Sequence, residues 1–305
     1  MKFIAEKLIS FITTIIFVSL ITFLAIQVLP GDPSLLILGT EGDPASREII
    51  REQLGLNENI VVRYFKWIIG VFRGDLGQSI RYSVPVRDLI SDALPLTLWL
   101  AFLAVILSLV ISIPLGIGLA VKGGSVLDLL GSLIMQIGMS VPAFWIGILL
   151  IQLFAVKLQW LPPGGYGSFV SFILPVLALA LPRAAVLTRV VRANMLDEFR
   201  EDYLRTARSK GLPQGKVLYK HALRNVAISI FTVAGIHLTQ LLVGTIVIEQ
   251  VFSLPGLGQL LLAAVLQRDL PLVQGLVFIG AVLILTANLC FDFLIAALDP
   301  RVRFE

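Results

Sequence analysis

The sequence predicts an all-α polytopic membrane protein with six transmembrane helices. Hydrophobic residues make up 57% of the 305 residues, and charged residues make up only 14%. Soluble domains average roughly 45–50% apolar and about 25% charged residues. The mean hydropathy is +0.93. The charges are also absent from several windows that reach the ~20 residues a helix needs to cross a bilayer.

Six apolar windows are each predicted to form one span: residues 8–29, 93–121, 129–156, 169–191, 226–248 and 270–291. The first is too long for a signal-peptide core and no small-residue cleavage site follows it, so we expect a retained span. The fourth is the least apolar, because Arg183 and Arg189 interrupt it. Residues 257–266 are too short to cross and are expected to lie at the outer surface or to dip partway in.

Residues 31–92 form the one sizeable polar segment between spans. Two short helices are predicted within it, at residues 45–54 and 61–72. Asn57 or Asn59 is a candidate cap for the second. Pro85 precedes a further short helix that leads into the second span. The segment is too small for a core of its own, so it must pack on the membrane part or on a partner.

The basic residues indicate the orientation in the membrane. Those that follow the fourth span are Arg192, Arg200, Arg205, Arg208, Lys210, Lys216, Lys220 and Arg224, whereas residues 158–171 carry no charge. Basic loops stay in the cytoplasm, so this loop and both termini are predicted to be cytoplasmic. The predicted parts are an N-terminal span (1–30), an extracytoplasmic segment (31–92), a five-helix core (93–298, with a cytoplasmic loop at about 196–224) and a cytoplasmic tail (299–305).

Residues 203–225, here called the elbow, read YLRTARSKGLPQGKVLYKHALRN. An apolar stripe at helical spacing predicts its first helix: Leu196, Phe199, Tyr203, Leu204 and Ala207. Acidic residues are placed towards the start of this helix (Asp197, Glu198, Glu201 and Asp202) and basic ones at its end (Arg205, Arg208 and Lys210), as the helix dipole favours.

Gly211 is predicted to end that helix, and Pro213 prevents its continuation. A second short helix, at about residues 214–223, then leads back into the membrane. An elbow that is basic outside and apolar on one side is expected to press into a groove on a soluble partner.

The elbow resembles the cytoplasmic EAA loop of ABC importer permeases, whose consensus is E-A-A, three residues, Gly, nine residues and I-x-L-P. The E-A-A positions are occupied by Arg205, Thr206 and Ala207, the glycine by Gly211, and the I-x-L-P positions by His221, Ala222, Leu223 and Arg224. The departures are Arg205 for Glu, Thr206 for Ala, His221 for Ile and Arg224 for Pro. In this form, RTARSKG and HALRN, the segment is similar to the dipeptide/oligopeptide/nickel branch. The likeness extends over essentially the whole chain, through segments such as GDLGQS, LPPGGYG and VFSLPGLGQLL.

The resemblance implies the type I ABC importer permease fold in a bacterial inner membrane. The implied partners are a second homologous permease, two cytoplasmic ATP-binding subunits that hold ATP and Mg²⁺, an extracytoplasmic solute-binding protein and membrane lipid. The implied coupling residues are Arg205, Thr206, Ala207, Gly211, Leu212, His221, Leu223 and Arg224. Peptides are the expected solutes. Nickel chelates, glutathione and other small solutes remain alternatives, because the solute specificity of such importers lies largely in the binding protein.

Several kinds of site are absent from the sequence. It lacks G-x-x-x-x-G-K-[ST], H-E-x-x-H and G-x-S-x-G, so no phosphate cradle, zinc site or nucleophile elbow is expected. We therefore predict no enzyme activity, cofactor or metal in this chain. The formal charge of +4 is small, and no nucleic-acid partner is expected. The single cysteine, Cys290, excludes an internal disulfide.

Four polar residues at membrane depth are candidates for the translocation pathway: Arg183, His237, Gln240 and Asn288. An intramembrane arginine marks a pathway or a paired site. The alternative for Arg183 is a pair with a helix-end carbonyl, or a side chain that snorkels to the membrane surface. For the others the alternative is a role in holding helices together.

Two classes of function follow. One is a permease half that receives work from ATPases at the elbow. The other is a self-sufficient channel or secondary transporter, which predicts transport without ATP and usually an inverted repeat. No such repeat is visible in the sequence.

Overall fold

The computed structural model describes residues 2–28, 43, 48, 52 and 57–298. Within these residues the regular secondary structure is helical, apart from one isolated β-bridge between Gln78 and Pro85. The prediction of an all-α protein is confirmed. The helix predicted at residues 45–54 lies mostly outside the described residues.

The helices are, in chain order, α1 (Lys2–Val28), α2 (Ile60–Phe72), α3 (Val86–Val121), α4 (Val126–Ser140), α5 (Ala143–Leu150), α6 (Ile173–Glu198), α7 (Asp202–Ser209), α8 (Leu223–Val251), α9 (Leu257–Leu266) and α10 (Leu270–Leu298). Two π-helical segments, Ile151–Lys157 and Lys216–Ala222, extend α5 and precede α8. A 3₁₀ turn, Phe169–Phe172, precedes α6.

Five continuous helical segments in the described part of the chain are long and apolar enough to cross a membrane: Ile4–Gln27, Val86–Val121, Phe169–Glu198, Lys216–Val251 and Leu270–Ala297. A sixth span exists only if Val126–Ser140 and Ala143–Lys157 are counted together, and these two meet at a bend of 100°. The prediction of one uninterrupted third span is therefore corrected. Pro142 precedes α5, and Val141 before it is extended (φ −86°, ψ 126°) because a residue that precedes proline avoids the helical region.

Two helix boundaries also differ from those predicted from the sequence. The short helix expected after Pro85 is not separate, because α3 runs without a break from Val86 into the second span. The fourth span continues past residue 191 to Glu198, so Arg192 lies on α6 rather than in the loop. Longer continuous helices keep more backbone hydrogen bonds inside the helix, which a membrane segment requires.

One compact unit consists of Met1–Pro95 and Gln259–Thr286. The α2 prediction is confirmed, and of the two candidate caps it is Asn59 whose side chain accepts from the Val61 amide at 2.9 Å. In the same unit Asp269, which is buried, accepts a hydrogen bond from Ser79 at 2.5 Å and from the Arg81 amide at 3.2 Å. This carboxylate fixes the turn after residue 77.

The second unit consists of Leu96–Gly258 and Ala287–Glu305. Its apolar core is formed mainly by α3, α6 and α8, and the largest fully buried members are Leu100, Leu174, Leu179, Leu241, Ile248, Phe252 and Leu254. At the end of α8 the carboxylate of Glu249, which is 0% exposed, accepts from Thr97 and from the Gly258 amide, each at 2.7 Å. A Cβ at Gly258 would lie 2.3 Å from Cα of Ile246, so only glycine permits this close return of the chain.

Candidate functional site

The first half of the elbow is α7, an eight-residue helix. Glu201 precedes it in an extended conformation (φ −71°, ψ 137°), and Asp202 lies in its first turn. The predicted helix over residues 196–210 is therefore broken at residues 199–201. Asp197 and Glu198 belong to the end of α6, not to the start of the elbow helix. The residues of α7 that are buried are Leu204 and Ala207.

The end of α7 is a turn that requires glycine. The Gly211 amide donates to the Arg208 carbonyl at 3.0 Å and the Leu212 amide to the Ala207 carbonyl at 3.4 Å. This pair of bonds is the Schellman arrangement, which needs a left-handed residue just after the helix. Gly211 has φ +74°, and a Cβ there would meet nothing within 4 Å. The need for glycine is thus conformational rather than steric.

The second half of the elbow differs from the prediction. Residues Lys216–Ala222 are π-helical and continue directly into α8, so no separate second helix exists. The elbow therefore passes straight into the fifth span. A π-helical turn is a local widening of a helix that is common at functional positions.

One face of the elbow is buried. Leu204 is 0% exposed, and the side chains that pack with it come from α3, α6 and α8 as well as from the elbow itself: Ile117, Ala120, Val191, Met195, Ala207, Val217, Leu218, Ala222, Val226 and Ile230. The buried face of the elbow is therefore packed in one apolar cluster with residues of these three helices.

The opposite face is open and basic. Its exposed residues are Arg205, Thr206, Arg208, Ser209, Lys210, Gly211, Gln214, Lys216, Tyr219, Lys220 and Arg224. Beside it lies an open groove of about 540 Å³, lined by Val121, Phe199, Arg208, Leu212, Gln214 and Leu218. The Arg208 guanidinium carbon lies 5.8 Å from the centre of the Phe199 ring, a cation–π contact. Of the residues in the EAA-like positions, Ala207 and Ala222 are buried, and His221 and Leu223 are half-buried.

A polar triangle that was not predicted from the sequence joins the two ends of the elbow. The Tyr203 hydroxyl donates to the Glu198 carboxylate, and the Asn225 amide nitrogen donates to Glu198 at 3.0 Å and to the Tyr203 oxygen at 2.9 Å. Burial, and then the hydrogen bond to Glu198, raise the pKa of Tyr203 to about 12. The contact between Glu198 and Asn225 spans 27 residues, so no local pattern reveals it.

A second missed contact is an ion pair between α4 and α6. Arg192 donates to Asp128 from Nε at 2.5 Å and from Nη2 at 2.7 Å. The Gly124 amide donates to the same carboxylate at 3.0 Å. Two parallel N–H···O bonds of this kind fix direction as well as distance.

The polar residues at membrane depth fall into two pairs and one buried residue. Arg183 donates to the Gln240 side-chain oxygen at 2.7 Å, and Thr239 donates to the Asn288 side-chain oxygen at 2.6 Å. His237 is 5% exposed, and its Nδ1 has no hydrogen-bond partner among the described residues. The structure thus brings Arg183 and Gln240 together, while Asn288 pairs with Thr239. Among the described residues, no group of three His, Cys, Asp or Glu side chains is arranged to hold a metal ion.

Similarity to a solved structure supports the fold. The structure described as inward-facing conformations of the MetNI methionine ABC transporter matches with a TM-score of 0.56. The match covers 69% of this chain and 96% of that chain at 19% identity, which bears on the fold alone. Over the matched part, the fold is therefore similar to that of the matched chain of this transporter.

Sequence similarity extends over the whole chain. Residues 112–304 match the family model described as the binding-protein-dependent transport system inner membrane component, and residues 1–101 match the model for its N-terminal part. The chain is 41% identical over 302 residues to a putative peptide transport system permease protein of Brucella abortus, covering 96% of each. It is 39% identical over 305 residues to the glutathione transport system permease protein GsiC of Escherichia coli, covering 100% of each. It is 38% identical over 298 residues to the oligopeptide transport system permease protein AppB of Bacillus subtilis, covering 94% of each.

The chain therefore belongs to the family of binding-protein-dependent transport system inner membrane components, the permease subunits of ABC importers. It is a multi-pass inner-membrane protein that works with ATPase and solute-binding partners. Membership also confirms the prediction that ATP hydrolysis takes place in partner subunits and not in this chain.

Proposed function

We propose that this chain forms half of the translocation pathway of an ATP-driven importer of di- or oligopeptides. Its partners in the proposal are a second homologous permease, two cytoplasmic ATP-binding subunits and an extracytoplasmic binding protein. The observation that carries the proposal is identity of 38–41% over 94% or more of the chain to permeases named for peptide and oligopeptide transport. Glutathione, itself a tripeptide, is the alternative favoured by the similarity to the permease GsiC. A nickel chelate also fits the resemblance.

The elbow is the proposed coupling surface. Closure of the ATP-binding subunits presses on the exposed basic face around Arg205, Thr206 and Gly211. The buried face around Leu204 passes this displacement to α6 and α8, which move around the pathway. The separation of an exposed basic face from a fully packed apolar face supports this role. The chain itself holds no cofactor in this scheme, since ATP and Mg²⁺ bind to the partner subunits.

The orientation in the proposal places the elbow and both termini in the cytoplasm. The concentration of Lys and Arg in the elbow supports it, since basic loops are retained on that side. Arg183, His237, Gln240 and Asn288 are proposed to lie at or next to the pathway, and the exposure of Gln240 and Asn288 at membrane depth supports this position.

The test is purification of the tagged chain from its own host in mild detergent, followed by identification of the proteins that accompany it. We expect a second permease and ATP-binding subunits. Proteoliposomes that hold this complex with its binding protein are expected to take up peptide only with internal ATP. Solute accumulation by this chain alone, insensitive to ATP, would indicate a secondary transporter instead and refute the proposal.

A further inference from the structure

A hydrogen-bonded pair of one charged and one neutral polar side chain lies midway along two neighbouring spanning helices. Arg183 is on α6 and Gln240 is on α8, and one guanidinium N–H donates to the Gln240 oxygen at 2.7 Å. A guanidinium carries five N–H donors. Among the described residues Arg183 donates no other side-chain hydrogen bond, so most of these donors are unused.

Lipid is a strongly disfavoured neighbour for this pair. Gln240 is exposed and Arg183 is half-buried, so both reach the outside of this unit at membrane depth. Acyl chains offer no hydrogen-bond acceptor, and an arginine that faces them is strongly disfavoured. This face of α6 and α8 must therefore meet a protein surface or a polar pathway.

His237 gives a second, independent indication of a ligand. It precedes Gln240 by three residues on α8, so the two side chains lie on one side of the helix. Its Nδ1 is buried without a hydrogen-bond partner among the described residues, and buried polar atoms in native proteins normally have one.

We infer that Arg183 and Gln240 form a subsite that binds the carboxylate of a solute in transit, with His237 as its buried polar wall. A guanidinium binds a carboxylate through two parallel hydrogen bonds, and the Gln240 amide nitrogen supplies a further donor. This inference rests on the proposed function, because a peptide that crosses the membrane carries a C-terminal carboxylate. The competing occupant is an acidic side chain of the second permease.

The experiment places a reporter thiol beside the pair. Gly244 lies one turn beyond Gln240 on α8, and a Cβ there would meet nothing within 4 Å. Gly244→Cys is made in a Cys290→Ala background, which leaves one cysteine in this chain. The permease pair with its ATP-binding subunits is placed in lipid nanodiscs without binding protein. Negatively and positively charged methanethiosulfonate reagents are then compared, and labelling is read on this chain.

The negative reagent is expected to react at least about tenfold faster than the positive one, since a nearby cation attracts it. Arg183→Gln should bring the ratio near one, and Arg183→Lys should retain it. Arg189→Gln is the matched control, because it removes the same charge from α6 at an exposed position, and it should leave the ratio unchanged. If neither reagent reacts, or if Arg183→Gln leaves the ratio unchanged, the inference is wrong.

Protection of the Gly244→Cys thiol from labelling identifies what occupies the proposed subsite. Trialanine at millimolar concentration should slow labelling severalfold, and trialanine amide, which lacks the carboxylate, should not. Equal protection by both, or protection by neither, overturns the inference and favours a carboxylate of the second permease or an empty cleft. Retention of the ATP-binding subunits is read on the same preparation, so loss of the complex, which would contradict the proposed function, is recognised separately.

Discussion

Arg192 and Asp128 form a two-point ion pair that joins α6 to α4, with N–O distances of 2.5 and 2.7 Å. The Asp128 side chain is 6% exposed and that of Arg192 is 26% exposed. Six residues after Arg192, α6 ends at Glu198, which holds the elbow through Tyr203 and Asn225. The bent third span and the elbow are thus both fixed to the same helix.

Removal of either partner of this ion pair should destabilise the protein. Asp128→Ala leaves the Arg192 guanidinium without its carboxylate, and we expect the free energy of unfolding to fall by about 2–3 kcal/mol, since a partly buried charge is left unpaired. Arg192→Ala should cost a similar amount. The double variant should cost at least about 1 kcal/mol less than the sum, because the two residues are coupled. Denaturant titration of the purified complex measures the free energy of unfolding of the two single variants and the double variant. If the loss in the double variant equals the sum of the two single losses, the pair contributes no coupling energy.

The glycine at the elbow turn should be needed for its conformation. Gly211 has φ +74° and Gly215 has φ −58°, and both have open space where a Cβ would lie. Valine at positive φ costs about 1–2 kcal/mol, which corresponds to roughly a tenfold change in an equilibrium constant. Gly211→Val should therefore reduce ATP-driven uptake and solute-stimulated ATPase activity by about that factor. Gly215→Val, the matched control, should keep both within about twofold. If the two variants behave alike, the turn does not carry the coupling.

Tyr203 should titrate well above an ordinary tyrosine. Its pKa is raised from 10.0 to about 12, first by burial and then by Glu198, because both disfavour the phenolate. The protonated Tyr203 side chain therefore stabilises the folded protein fully below pH ~10. This stabilisation is lost as the pH rises through the folded-state pKa of about 12. The absorbance difference between the wild-type protein and Tyr203→Phe at pH 11 should show only about a tenth of Tyr203 ionised. Half-ionisation near pH 10 would mean that the polar triangle is open in solution.

Hydrophobic patterning could predict most of the fold. Charge-free windows locate spans well, because the bilayer core excludes charge whatever the tertiary contacts are. Gly211 was also predictable, and the cap of α2 was narrowed to Asn57 or Asn59, since caps and left-handed turns depend on a few adjacent residues. The 100° bend at Pro142 was harder to predict, because proline inside a span often kinks a helix without dividing it into two.

The contacts that define the candidate site could not be predicted in the same way. Asp128 and Arg192 are 64 residues apart, and Thr97 and Glu249 are 152 apart. Such pairs depend on which helices become neighbours, and a periodic pattern within one helix carries no such information. The break before α7 was missed because the stripe through Phe199 and Leu204 continues at helical spacing across it.

The central claim, that the elbow receives the ATP-binding subunits in the cytoplasm, is tested most directly by cysteine cross-linking. Thr206→Cys is introduced at an exposed position of α7 in a Cys290→Ala background, with Tyr166→Cys as the control on the loop predicted to be extracytoplasmic. A short bifunctional thiol reagent should join position 206 to an ATP-binding subunit, and an impermeant thiol reagent added to spheroplasts should label position 166 but not 206. Labelling of position 206 from outside, or its cross-linking to no ATP-binding subunit in an assembled complex, would contradict the account.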